Sequence, residues 1–203
     1  MDERLRDSLA KIVEFYDQRK VGDSGPLGFR RSSDLATLLT CSERLIREGI
    51  IIPGETAFLD LGCADGRVNL FFSYLVSLSV GIEIDEWTLD EYGPLRSSLE
   101  AALEKGALLP PPENIFLFQG DATDKSLHDA IARRTGRTLR SFDVFYTYLM
   151  MHDVFAEMLA ESARKGAIFM VYGLDAILPQ YPGFRLLRDM SPMEGILALY
   201  ERV

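Results

Sequence analysis

From residue 56 onward, short apolar runs of strand-like composition alternate with segments whose apolar residues recur at helical spacing. Five runs have the composition of buried strands, at residues 56–61, 78–84, 114–119, 142–148 and 167–172. The helical segments between them are residues 66–76, 86–106, 124–135 and 152–165. This alternation predicts an α/β fold, in which a parallel sheet carries helices on both faces.

Two further strand-like runs, at residues 184–188 and 196–200, follow these alternations. The connection between them is short, and a parallel crossover needs a dozen or more residues, so the two runs are expected to pair as an antiparallel hairpin. The sequence therefore predicts a mixed sheet of seven strands, in which six are parallel and the last is antiparallel.

Two amphipathic helices are predicted before the first strand, at residues 2–20 and 33–48, and the glycine-rich loop 22–28 lies between them. We expect residues 1–55 to form an N-terminal helical extension and residues 56–203 to form the main domain.

The loop of this extension has two interpretations. It is either a lid over the carboxyl ends of the strands, with Phe29 as an apolar wall and Arg30 or Arg31 facing an anionic group of a ligand, or a connection within a packing brace. The sequence favours neither.

The composition is that of a soluble globular protein, with 203 residues of which 47% are hydrophobic and 26% charged. A formal net charge of −9 gives no general attraction to a phosphate backbone, so a nucleic-acid partner is not expected. Cys41 and Cys63 have no His or Cys neighbours at ligand spacing, so no metal site is expected. There is no secretory pattern, and no run approaches the roughly 20 apolar residues that span a bilayer, so we expect a cytoplasmic protein with no membrane partner.

The first predicted strand runs directly into a glycine-containing turn, residues 62–66, after which a helix begins. In such folds a ligand binds beyond the carboxyl end of the strand, where glycines allow a close approach. The alternative is a tight turn whose glycines serve only the backbone.

Carboxylates follow the second and third strands. Glu83 lies 21 residues after Gly62, which is close to the separation at which an acid reaches a ribose diol; the alternative is a solvated strand end. Asp121 is placed to accept a hydrogen bond from an exocyclic amine, and Thr123 or Asp124 is expected to cap the next helix.

The turn does not suit a pyrophosphate. The dinucleotide pattern needs glycine where this chain has Ala64 and Arg67, and no phosphate-binding loop of the nucleoside triphosphate type is present. An adenosine without phosphates remains, and S-adenosylmethionine presents one.

Residues 58–67 resemble the first motif of the class I S-adenosylmethionine-dependent methyltransferases, and residues 81–85, 120–122 and 142–146 resemble the second, third and fourth. The resemblance covers about residues 56–172 and implies a Rossmann-like, mostly parallel sheet of seven strands with a C-terminal antiparallel hairpin. One departure is Ala64, where the family usually has glycine.

The resemblance also implies the cofactor contacts. Asp60 would orient the turn near the methionine moiety, Glu83 would hold the ribose and Asp121 would bind adenine. The residues expected at the cofactor are Asp60, Gly62, Cys63, Ala64, Gly66, Glu83, Ile84, Asp121, Ala122 and Tyr146.

The sequence says less about the methyl acceptor. Methyltransferases of this family that act on amino groups of adenine or glutamine carry an Asn/Asp-Pro-Pro-aromatic motif after the fourth strand, and this chain does not. His152 is a candidate general base and Tyr148 a candidate pocket residue. The alternatives are a capping or surface role for His152 and strand packing for Tyr148.

The sequence thus predicts a methyltransferase that acts on a small molecule or a protein side chain. The main alternative is a protein that binds S-adenosylmethionine without chemistry, such as a regulatory protein. A nicotinamide-dependent oxidoreductase is a third reading, which Ala64 and Arg67 disfavour. The acceptor and the oligomeric state are not determined by the sequence.

Overall fold

A computed structural model describes residues 1–26, 28 and 30–203. Its seven strands are β1 (Ala57–Leu61), β2 (Leu78–Glu83), β3 (Ile115–Gln119), β4 (Val144–Tyr148), β5 (Ile168–Tyr172), β6 (Phe184–Leu186) and β7 (Leu197–Arg202). They form one sheet in the order β3-β2-β1-β4-β5-β7-β6. The sheet is parallel except for β7, which runs antiparallel to both β5 and β6. The predicted mixed sheet is confirmed.

The α-helices of the described chain are α1 (Glu3–Asp17), α2 (Leu35–Arg47), α3 (Arg67–Ser73), α4 (Glu86–Asp90), α5 (Tyr92–Lys105), α6 (Lys125–Thr135) and α7 (His152–Ser162). The single helix predicted over residues 86–106 is divided between α4 and α5. Pro94, in the first turn of α5, explains the division, because proline lacks the N–H needed inside a helix and suits only its first turn.

Strand residues face the two sides of the sheet alternately, which builds two core clusters. Phe58 and Tyr146 belong to the cluster beneath α1, α2, α3 and α5, whereas Leu59 and Phe145 belong to the cluster beneath α6 and α7. A buried strand pattern on both faces is what a parallel sheet covered by helices requires.

The N-terminal helices are part of the first cluster. Leu9, Ile12 and Tyr16 of α1 and Leu38 and Leu45 of α2 are completely buried. The predicted division at residue 55 stays a prediction, but removal of these helices would expose a large apolar surface.

None of the helices in the described part of the chain is long and apolar enough to cross a membrane.

Candidate functional site

The turn between β1 and α3 is held by hydrogen bonds to the neighbouring strand. The N–H groups of Gly62 and Cys63 both donate to the carbonyl of Ile82 in β2, at 2.9 and 2.8 Å. Gly66 has a φ of +74°, and a Cβ there would lie 2.7 Å from the Tyr92 ring and 2.9 Å from Leu117. Glycine at this position is therefore required twice, by backbone conformation and by space.

Glu83 ends β2 beside this turn. One carboxylate oxygen, Oε2, accepts a hydrogen bond from the N–H of Ala64 at 2.9 Å, and the other, Oε1, accepts one from the N–H of Asp85 at 2.9 Å. Glu83 is only 4% exposed, so it is not a solvated strand end. The structure thus brings together the turn and the acid that sequence spacing related to each other.

Three side chains predicted at the cofactor are buried below the turn. Asp60 is 1% exposed, its Oδ1 has no hydrogen-bond partner among the described residues, and burial together with the charge of Glu83 raises its pKa. Burial, followed by the charge of Asp60, raises the pKa of the Cys63 thiol. Tyr146 hydrogen-bonds the hydroxyl of Ser33, and burial raises its pKa.

Ile84, Asp121 and Ala122 lie at the carboxyl ends of β2 and β3. Ile84 is an exposed apolar side chain, with 65% of its surface accessible, and Ala122 is buried. One oxygen of Asp121 accepts from the N–H and the hydroxyl of Thr123, each at 2.8 Å, and these two bonds lower the pKa of Asp121. Asp124 caps α6 by accepting from the N–H of Ser126, so the predicted capping role belongs to Asp124.

A buried ion pair at the turn was missed by the sequence reasoning. Arg67 pairs with Asp65 at 2.9 Å, donates to the carbonyl of Tyr16 and to the hydroxyl of Ser32, and is only 2% exposed. In the sequence analysis, Arg67 was noted only because it stands where the dinucleotide pattern has a glycine. An opposite charge pair inside an otherwise apolar turn was the available signal, because charged residues are almost never buried unless paired.

The chain between α1 and α2 passes over the carboxyl ends of the strands, where it contacts Glu83 and Tyr172. We call residues 19–26 and 30–34 the strap. Glu91 binds one end, through an ion pair with Arg19 and a hydrogen bond from the N–H of Ser24. At the other end, the N–H of Asp34 donates to the Tyr172 hydroxyl at 3.2 Å, next to the bond between Ser33 and Tyr146.

Arg30 anchors the strap to the carboxyl end of β2. Its guanidinium lies 3.3 Å from Glu83 and 2.8 Å from Asp85. Arg31 is exposed and makes no ion pair among the described residues. The predicted role of Phe29 lies outside the described residues.

The two candidate catalytic residues lie against different core clusters. The half-buried Tyr148 packs on the first cluster, with its ring 5.7 Å from that of Tyr172. His152 begins α7, and its Nδ1 lies 2.7 Å from the hydroxyl of Tyr181, a member of the second cluster. The structure does not bring Tyr148 and His152 together, and their catalytic roles remain predictions.

Two other features bear on ligands. No group of acidic, His and Cys residues in the described ranges has the arrangement of a metal site. A cavity of about 490 Å³ lies at the opposite end of the strands, where Thr56, Asp143 and Gly166 line it, and it contains none of the predicted site residues.

Comparison with known proteins relates the chain to others through structure. No protein-family model matches the sequence, and no curated protein matches it. An rRNA methyltransferase from Streptomyces viridochromogenes superposes with a TM-score of 0.58 at 13% identity, over 90% of this chain and 89% of that one.

Two further solved structures are similar. The tRNA (m1A58) methyltransferase of Aquifex aeolicus gives a TM-score of 0.55 at 13% identity, over 96% of this chain and 76% of that one. An RNA methyltransferase of Salinibacter ruber, solved with S-adenosyl-L-homocysteine, gives 0.52 at 16% identity, over 85% of this chain and 92% of that one. The chain therefore has the Rossmann-like fold of the class I S-adenosylmethionine-dependent methyltransferases.

Proposed function

We propose that this chain is an S-adenosylmethionine-dependent methyltransferase whose cofactor lies over the carboxyl ends of β1 to β4. The observation that carries the proposal is the bond between the Ala64 N–H and Glu83, which fixes the turn and the ribose-binding acid as one unit. In this fold, ligands bind at the carboxyl ends of the parallel strands.

The charges around the turn favour S-adenosylmethionine over a dinucleotide. Asp60, Asp65 and Glu83 are all close enough to Cys63 to raise its pKa. Arg67 pairs with Asp65 and Arg30 with Glu83, whereas Asp60 has no cationic partner among the described residues. A pyrophosphate would add like charge to this group, whereas a sulfonium and an ammonium add opposite charge. This disfavours the nicotinamide alternative.

The residues present fit the three parts of the cofactor. The unpartnered Oδ1 of the buried Asp60 suits the methionine ammonium, because a buried acceptor without a partner is costly and a charged donor would satisfy it. Glu83 would hold the ribose hydroxyls. The exposed face of Ile84, with Asp121 and Ala122, would hold adenine.

For methyl transfer, the main task of the protein is to align the two substrates. The sulfonium of S-adenosylmethionine supplies an activated methyl group, so the remaining tasks are to orient the acceptor and exclude water. Tyr146 is buried beside Asp60, and Tyr148 and Tyr172 stand at the ends of the two adjacent strands. We propose Tyr148 as a wall of the acceptor pocket. His152 would serve as a base only if the Tyr181 hydroxyl releases it or if its other ring nitrogen faces the acceptor.

For the acceptor we propose a small molecule or a protein side chain. Four exposed apolar side chains follow β4 and β5, namely Met150, Met151, Val154 and Ile177. The charged residues between positions 148 and 163 and between 172 and 183 are all acidic. An apolar and acidic surface suits an apolar or cationic partner better than a polyanion.

The deciding experiment is calorimetric titration of the chain with S-adenosylmethionine, S-adenosylhomocysteine and NAD. We expect the first two to bind and NAD to show no heat of binding. Binding of NAD alone would refute the proposal. Transfer of a labelled methyl group to fractions of small molecules or proteins then separates an enzyme from a protein that only binds the cofactor.

A further inference from the structure

Glu83 has fewer free hydrogen-bond positions than a ribose diol needs. A carboxylate has about four acceptor positions, two on each oxygen. Oε1 already accepts from the Asp85 N–H at 2.9 Å and from Arg30 at 3.3 Å, and Oε2 accepts from the Ala64 N–H. With Arg30 in place, a single position remains, on Oε2. Without Arg30, one position is free on each oxygen.

We propose that Arg30 is an internal competitor of the cofactor, which occupies on Glu83 the position that a ribose hydroxyl takes when the strap opens. This inference rests on the proposed function, because it assigns Glu83 to the ribose. In this structure the strap is closed, with Arg30 paired to Glu83 and Asp85.

The arrangement of contacts supports competition over simple bracing. A brace needs only anchors to the body of the protein, and the strap has these in Glu91, Tyr146 and Tyr172. Arg30 instead binds Glu83, the acid assigned to the ribose, together with Asp85 two residues later. The Arg30 side chain is 28% exposed, so water can hydrate its guanidinium after release and the ion pairs are reversible.

The proposal predicts that a substitution at Arg30 increases the affinity for the cofactor, which is an unusual direction for the loss of a contact. A competitor weakens cofactor binding, so its removal should tighten binding. A lid arginine that contacts the bound cofactor would give the opposite change, and a brace would give none. The three interpretations therefore differ in direction and not only in size.

The test uses Arg30→Met, which keeps an unbranched stem of similar length but has no donor or charge, and Arg31→Met as the control with the same change in net charge. Calorimetry with S-adenosylhomocysteine should show binding about fivefold tighter for Arg30→Met and unchanged for Arg31→Met, a factor typical of a partly exposed ion pair. In the wild type, added salt should tighten binding, because salt weakens the competing pair, and Arg30→Met should lose this response.

A second variant separates competition from loosening. Glu91→Gln weakens the other end of the strap and leaves every partner of Glu83 in place. If Arg30 competes directly, Arg30→Met should tighten binding more than Glu91→Gln does. Equal effects of the two variants would overturn direct competition, and weaker or unchanged binding in Arg30→Met would overturn it as well.

Hydrogen exchange without any cofactor makes the outcome independent of the proposed function. Arg30→Met should speed hydrogen exchange at the amide of Ser24, a residue of the strap whose N–H donates to Glu91. Unchanged exchange would refute the role of Arg30 in closing the strap. Faster exchange, combined with no binding of S-adenosylhomocysteine by either protein, would refute the proposed function and the competition with it.

Discussion

Glu83→Gln tests the centre of the proposed site, because it changes one atom of a buried side chain and keeps its shape. In the wild type the two oxygens accept N–H bonds from Ala64 and Asp85, both at 2.9 Å. The amide of glutamine has only one acceptor, so its NH₂ group must face one of these two N–H donors.

The size of the effect follows from this mismatch. A buried donor left without an acceptor costs about 1–3 kcal/mol, so we expect the free energy of unfolding to fall by that amount. The variant also loses the charge that would hold a ribose diol, which weakens cofactor binding by about 1.5–3 kcal/mol, or roughly tenfold to a hundredfold.

Urea unfolding followed by circular dichroism gives the first quantity, and calorimetry with S-adenosylhomocysteine gives the second. Glu86→Gln is the matched control, since Glu86 is exposed and makes no hydrogen bond through its side chain among the described residues. If Glu83→Gln and Glu86→Gln both stay within about 0.5 kcal/mol of the wild type in stability and in binding, the assignment of Glu83 is wrong.

Three further predictions concern other parts of the site. In Gly81→Ala the new Cβ would meet Asn69 Oδ1 at 2.5 Å, so we expect a loss of about 1–3 kcal/mol in unfolding free energy, measurable by urea titration. Burial raises the pKa of Asp60 in the folded chain, so the unfolded chain ionises first as the pH rises above 3.8 and this group lowers the stability with rising pH. Asp60→Asn should remove this loss, so the stability of the variant relative to the wild type should increase as the pH rises from about 4. His152→Ala and Tyr181→Phe should be coupled by about 0.5–1.5 kcal/mol in a double-mutant cycle, and additive changes would show that their 2.7 Å contact contributes nothing.

Local patterns were enough to predict the sheet. The strand at Leu78–Glu83 was predicted one residue too long, and the hairpin of β6 and β7 followed from its short connection. The separation of 21 residues between Gly62 and Glu83 likewise indicated that Glu83 lies close to the turn. These features depend on periodicity and on chain geometry, which a sequence displays directly.

Contacts between distant residues could not be predicted in this way. Arg30 and Glu83 are 53 residues apart, and Arg19 and Glu91 are 72 apart. A surface arginine and a buried one have the same local pattern, so nothing in the sequence favours Arg30 over Arg31. Which partner each charge finds is decided by tertiary packing.

The strap has a thermodynamic consequence for the order in which substrates act. The strap contacts Glu83 at the end of β2, Tyr146 within β4 and Tyr172 at the end of β5. A ligand that displaces the segment at one place changes the free energy of displacing it at the other, and such coupling is reciprocal. If the cofactor enters beneath Arg30, it should raise the affinity for an acceptor at Tyr148, and the acceptor should raise the affinity for the cofactor by the same factor.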